Sequence, residues 1–180
     1  MWGSLPSAAV LFDEKRVNGW STSARDSQIE YWRDGYSGVE AHHGIQFAEI
    51  NANVTASLYQ DVSTNPGAVM LWSFAHRGRT GDDVIALKVG PRDGPYETID
   101  SFTTGNGAWQ VYSGEYTVPS GQSVTRFFYE AVSTANGNTS MGNFLDDIQF
   151  YAKSSTCTAD ADGDGVVNSL DLDSDGDGIP

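Results

Sequence analysis

The chain predicts an all-β protein, a two-sheet antiparallel β-sandwich of jelly-roll type with a short C-terminal calcium-loop segment. Three observations lead there. Short runs of β-branched and aromatic residues recur between clusters of Gly, Pro, Asn and Ser. Helix signals are nearly absent. Residues 160–180 drop the hydrophobic pattern and set carboxylates at alternate positions.

The strands are read in order. Ile29–Trp32 is a short one, and Gly44–Ile50 alternates Ile45 and Phe47 against Gln46. Ser57–Val62 follows and ends at a turn, Asn65-Pro66-Gly67, where Pro presets one turn angle and Gly supplies positive φ. Val69–Ala75 is the most apolar run and predicts a central strand covered on both faces. Asp83–Val89 is ended by Gly90-Pro91. Later strands are predicted from Trp109–Tyr112 to Glu115–Val118, at Val124–Val132 and at Phe144–Tyr151. Turn clusters at 104–107, 119–121 and 135–138 divide them. Eight or nine such strands imply Greek-key or jelly-roll wiring.

The sandwich is assigned to residues 1–152, a polar linker to 153–159 and a truncated calcium repeat to 160–180. In the last of these, Asp160, Asp162 and Asp164 take positions 1, 3 and 5 of an EF-hand-type loop, with Gly165 at the sharp turn. The carbonyl of Val166 falls at position 7, Asn168 at 9 and Asp171 at 12. The register restarts thirteen residues on with Asp173, Asp175 and Asp177. Alternate spacing lets a tight loop aim oxygens at a cation that wants six to eight of them, so the expected cofactor is Ca2+. A disordered acidic tail is the competing reading, but Val166, Val167, Leu170 and Leu172 are interleaved there and the glycines keep register. The second loop stops before its own positions 9 and 12, which predicts a longer multidomain parent chain.

The net charge of −14 is uneven: seven of the 24 acids follow residue 159, where no Lys or Arg occurs. No basic face suggests nucleic acid, and no apolar run approaches membrane-spanning length. Cys157 is the single cysteine, so no internal disulfide staples the fold. Met1-Trp2-Gly3-Ser4 does not read as a signal peptide. The expected location is nevertheless extracellular or at the cell surface, because weak calcium sites of roughly 0.1–1 mM would stay empty in a cytosol.

Ligand chemistry is expected where polar residues crowd strand ends: Glu49, Asn51 and Asn53, then Tyr59, then His76, Arg77 and Arg79. Arg77 and Arg79 flank Gly78 as a fork suited to carboxylates or sugar hydroxyls, or they pair with Asp82 or Asp83. Asn51 and Asn53 serve either a ligand or their own loop backbone. Adjacent His42 and His43 predict a surface loop, not a shared metal site. Trp20, Tyr31, Trp32, Tyr36 and Trp109 are either core or a platform for stacking on sugars.

The run DADGDGVVNSLDLDSDGDGIP resembles the thrombospondin type-3-like repeats of secreted and surface proteins. Gly44–Asp61, Trp72–Arg79 and Asn143-Phe-Leu-Asp146-Asp147-Ile148 together resemble the jelly-roll, galactose-binding-like modules of secreted bacterial proteins. These include carbohydrate-binding modules and ligand-binding domains of calcium-dependent adhesins. The resemblance implies a structural calcium on Asp147 with Asp13 or Glu14, although Asn18-Gly19-Trp20 departs from the Asn-Gly-x-Phe-Glu opening of such modules.

Catalysis finds little support. No Gly-x-Ser-x-Gly elbow or zinc-type spacing is present, and only the supply of Glu30, Glu49, Glu115 and Glu130 would serve glycoside cleavage. The expected function is a non-catalytic, calcium-dependent adhesion module binding a glycan or peptide on another cell or surface. The alternative is a carbohydrate-binding accessory module of, or a catalytic domain in, a secreted polysaccharide-degrading enzyme.

Overall fold

Alternation of apolar and polar residues gives strands with one face to bury, and two such sheets solve the problem by packing face to face. The computed structural model describes residues 8–153. Its strands are β1 (Ala9–Asp13), β2 (Ser21–Thr22), β3 (Gln28–Arg33), β4 (Gln46–Glu49), β5 (Ser57–Ser63) and β6 (Val69–Arg77). The rest are β7 (Asp83–Pro91), β8 (Glu97–Thr104), β9 (Gln110–Thr117), β10 (Val124–Ser133) and β11 (Phe144–Ala152). One sheet has the order β1-β3-β4-β11-β6-β9 and the other β2-β5-β10-β7-β8, with antiparallel pairing throughout. The protein is thus the expected all-β jelly-roll sandwich.

Parity along each strand decides what enters the core. Met70, Trp72 and Phe74 of β6 face Ile85, Leu87 and Val89 of β7 and Phe127, Tyr129 and Ala131 of β10, all of them buried. Phe74 anchors this layer through edge contacts to Phe102 and Tyr129, at centroid distances of 5.3 and 5.2 Å. β6 is the expected central strand, but the cover on its outer face reaches only Ala75, which is fully buried at the strap end. The strand's buried positions alternate with half-buried Val69, Leu71 and Ser73 on the outer face.

Three strands escaped the sequence reading: β1, β2 and β8. Strand β2 has only two residues, while β1 and β8 are edge strands that bury little, so their alternation is faint. Among the described residues no helix is long and apolar enough to cross a membrane.

Gly114 is required by close approach. It pairs with Trp72 in the ladder, and a Cβ there would lie 2.4 Å from the Trp72 ring. Gly114→Val is therefore expected to destabilise the sandwich by about 1–3 kcal/mol, the usual cost of overpacking. A urea midpoint that falls at unchanged m-value is the confirming measurement.

Candidate functional site

Most of the polar residues singled out at strand ends meet at one end of the sandwich, but as a buried knot. Asp83, 1% exposed, accepts backbone N–H bonds from Arg79 at 2.9 Å, Ala135 at 2.7 Å and Asn143 at 2.8 Å. Asn143, also fully buried, donates through Nδ2 to Asn51 Oδ1 at 2.9 Å and lies 3.0 Å from His76 Nε2 through Oδ1. The other His76 nitrogen, Nδ1, is 2.8 Å from the Thr104 hydroxyl. With no exposed surface and both ring nitrogens engaged, His76 has nothing to offer a ligand. Parity explains it: His76 shares the inward face of β6 with Trp72 and Phe74.

Glu49 and Asn51, each 1% exposed, belong to the same knot. Both Glu49 oxygens lie 2.9 Å from Arg79 Nη1, and Oε1 also accepts the Gly142 N–H at 2.6 Å. The Arg79 guanidinium rests on the Trp32 ring at 4.6 Å. Arg77 instead donates through Nε and Nη2 to the Asn106 carbonyl, at 3.0 and 2.7 Å. Gly78 between them is dictated by backbone contact, since a Cβ would sit 2.0 Å from the Gly81 carbonyl and 2.6 Å from that of Thr104. The fork is therefore split between two structural duties. Asn53 is exposed and donates to Asp26 at 2.8 Å.

Tyr59 lies on the outer face of the opposite sheet. There it stacks on Phe128 at 5.7 Å, and Phe128 on Tyr96 at 5.6 Å, with interplanar angles of 17° and 16°. Arg126 covers Tyr59 at 4.2 Å and pairs with Asp61 at 2.6 Å. Rings that cover one another in this way stiffen a sheet but leave little free face for a sugar.

The outer face of the six-stranded sheet is built differently. The β3–β4 connection, residues 34–45, lies across it as a strap. Asp146 Oδ2 accepts the N–H groups of His42 at 2.8 Å and His43 at 3.0 Å, and Trp109 Nε1 donates to the Glu40 carbonyl at 2.8 Å. Burial pushes the Asp146 pKa up, and these N–H groups with that of Asp147 hold it back. Under the strap, Trp32, Phe47 and Phe144 form a second small core with Val39, Ala41 and Trp109. Trp32 is thus core, Trp109 is half-buried at the strap's edge and Tyr36 is exposed against Trp32. Trp20 and Tyr31 pack on the main core.

Beyond the strap the same face is open. A hollow of about 290 Å³ is lined by Leu71, Ser73, Ser113, Glu115 and Tyr151, with Tyr151 52% exposed. A second hollow of about 250 Å³ opens toward the core where β4 parts from β11, lined by Trp20, Tyr31, Leu58, Leu145, Asp146 and Asp147. Between them β11 is bulged at Asp147, whose φ is +44°. Sequence reasoning missed Tyr151, Ser73 and Ser113. The signal was present in the outward parity of Tyr151, Leu71 and Ser73 once β6 is read as half-covered.

The implied partnership of Asp147 with Asp13 or Glu14 is not what the structure brings together. Asp147 lies 3.6 Å from His42 Nδ1, while Asp13 accepts the Lys15 N–H and Glu14 that of Thr22. Among the described residues no three His, Cys, Asp or Glu side chains converge as metal ligands. Asp160, Asp162, Asp164, Val166, Asn168, Asp171, Asp173, Asp175, Asp177 and Cys157 lie outside the described residues. Of the carboxylates considered for glycoside cleavage, Glu49 is committed to Arg79, Glu115 pairs with Lys153 and Glu130 with Lys88.

No family model matches the sequence, and no curated protein does either. Solved structures do match. The C-terminal family 22 carbohydrate-binding module of Clostridium thermocellum Xyn10B, described for cleft residues in ligand binding, superposes with a TM-score of 0.56 at 16% identity. That match covers 77% of this chain and 88% of the other. The second family 22 xylan-binding domain of Paenibacillus barcinonensis Xyn10C gives 0.55 at 16%, covering 82% and 100%. A family 61 module in complex with β-1,4-galactotriose gives 0.53 at 18%, covering 76% and 90%. At these identities the likeness establishes the shared fold, a jelly-roll sandwich like that of carbohydrate-binding modules.

The knot makes stability depend on pH in two opposing ways. Burial lowers His76 to about 4, so between pH 6.5 and 4 the unfolded chain binds a proton that the folded one refuses, and stability falls as pH falls. Burial raises Glu49 to about 7, so between pH 4.5 and 7 the folded chain holds the extra proton, and stability falls as pH rises. In denaturant titrations across pH 4–7.5, His76→Gln is expected to flatten the first slope and Glu49→Gln the second, to which Glu30 beside it and Asp146, both also raised by burial, contribute as well.

Proposed function

We propose that this chain is a non-catalytic carbohydrate-binding module that holds a glycan chain along the open outer face of the six-stranded sheet. The observation that carries this reading is the groove beyond the strap. An exposed Tyr151 ring stands at its wall. Ser73 and Ser113, directly paired across β6 and β9, line the same hollow with two hydroxyls. Sugars present C–H faces to aromatic rings and hydroxyls to small polar side chains, so an exposed ring beside two hydroxyls suits a polysaccharide.

The fold shared with modules that bind xylan and β-1,4-galactotriose supports the same reading and favours an accessory module of a secreted polysaccharide-degrading protein over an adhesin. A peptide ligand has less behind it. The strand-end residues Glu49, Asn51, His76 and Arg79 that would grip one are spent on one another. Tyr151→Ala is expected to weaken binding to soluble xylan or galactan by tenfold or more, about 1.4 kcal/mol, without shifting the melting temperature appreciably. Affinity electrophoresis showing equal retardation of the variant and the parent would overturn the groove.

Calcium enters through the C-terminal aspartates. We infer that Asp160, Asp162, Asp164, the Val166 carbonyl, Asn168 and Asp171 hold one Ca2+, with Asp173, Asp175 and Asp177 opening a second loop. Calorimetric titration of chelator-treated protein is expected to show at least one site in the roughly 0.1–1 mM range. Substituting Asp160, Asp162 and Asp164 by Asn should abolish it.

A further inference from the structure

The sandwich end opposite the knot holds a hollow that the groove does not use. The turns β7–β8 and β9–β10 enclose about 560 Å³ there, within the roughly 300–1,000 Å³ range of ligand sites. Pro91, Pro95 and Pro119 supply three apolar ring surfaces, bordered by Tyr96, whose ring is stacked on Phe128. Gly90 makes this wall possible. A Cβ at that position would lie 2.4 Å from the Pro95 carbonyl and 3.1 Å from Tyr96, so any side chain would push the turn outward and spread the wall.

The floor is polar and incompletely engaged. Tyr116 and Gln122, 7% and 8% exposed, face each other across long contacts of 3.3 and 3.5 Å. Gln122 Nε2 has a short bond of 2.6 Å to the Thr125 hydroxyl, whereas its Oε1 has only the 3.5 Å contact with Tyr116. That amide oxygen is therefore available to accept a bond from an entering hydroxyl. At the rim, exposed Glu97 brings the only charge among the lining residues, and it is negative.

We propose that this hollow is a second carbohydrate site, separate from the groove, that takes one neutral sugar ring. The choice of a sugar rests on the glycan-binding reading above; the existence of the site does not. Three proline surfaces meet the C–H face of a pyranose, while Gln122, Tyr116 and Glu97 meet its hydroxyls. The Glu97 carboxylate, with no Lys or Arg beside it in the lining, repels uronic and sulfated sugars. A groove and an end pocket on one small body would let the chain hold two points of a polysaccharide, raising avidity without a second domain.

The test is an amide-resolved NMR titration of the full chain with xylohexaose and with β-1,4-galactotriose, and with glucuronate as the anionic probe. The expected result is saturable shifts at Gly90, Gly121 and Gln122 with a neutral sugar and none with glucuronate. Ser120→Trp, which fills the mouth from an exposed position, should weaken those shifts at least tenfold and leave those at Ser73 and Ser113 in place. Glu97→Lys, also at an exposed position, should admit glucuronate. Shifts confined to the groove overturn the second site, as does a pocket response indifferent to Ser120→Trp or equal for neutral and anionic sugars. A saturating pocket beside a silent groove supports the second site and instead removes the groove reading.

Discussion

One buried carboxylate organises the far end of this sandwich. Asp83 is taken out of water almost completely, a cost that is tolerable only because three backbone N–H groups from three separate segments point at it. Those bonds fix the 78–82 turn, the 134–138 turn and the entry to β11 relative to one another. Asn143, held by Asp83 through its backbone, then spends its side chain on His76, Asn51 and the Ser133 carbonyl. What looks from a distance like a constellation of reactive groups is a set of mutually satisfied partners. Such a knot is rigid because each member would be left bare if any other moved.

Rigidity at that end places the strap. The entry of β11 determines where Asp146 stands, and Asp146 carries the strap by two N–H groups. The strap in turn hides Trp32, Phe47 and Phe144 and leaves the lower half of the sheet open. The outer faces of the two sheets therefore differ in how much aromatic surface they leave open. On one outer face the rings of Tyr59, Phe128 and Tyr96 close on each other. On the other, Trp32, Phe47 and Phe144 close on each other under the strap, while Tyr151 keeps half its surface exposed.

Some strands were legible because a half-buried strand must alternate, as β10 does with Thr125, Phe127, Tyr129 and Ala131 buried, and others, β7 and β11, by their apolar and aromatic content. The edge strands β1 and β8 were not, since a strand with one neighbour and little burial has no pattern to impose. His76 and Glu49 were read as binding groups because they stand at strand ends, and strand ends do carry ligands in many folds. Parity was the better guide to His76: two residues on from Phe74, it had to face inward. Glu49 points outward, and nothing in its own strand announces that the chain returns at Gly142 to cover it. The groove was illegible for a related reason. Tyr151, Ser73 and Ser113 lie on three strands that become neighbours only in the folded sheet. The carboxylate spacing after residue 159 is a purely local signal and could be read without any fold.

The last strand among the described residues, β11, is inserted between β4 and β6 in the middle of its sheet. The bonds that close the knot and the strap accordingly join residues 92 to 104 positions apart. A nascent chain lacking residues 144–152 would present two unpaired strand flanks where the completed protein has its centre. Folding of this sheet therefore waits until residues 144–152 are available, and it is dominated by distant pairings and slow for the size of the sandwich. During that interval the open flanks of β4 and β6 are the places where aggregation would begin.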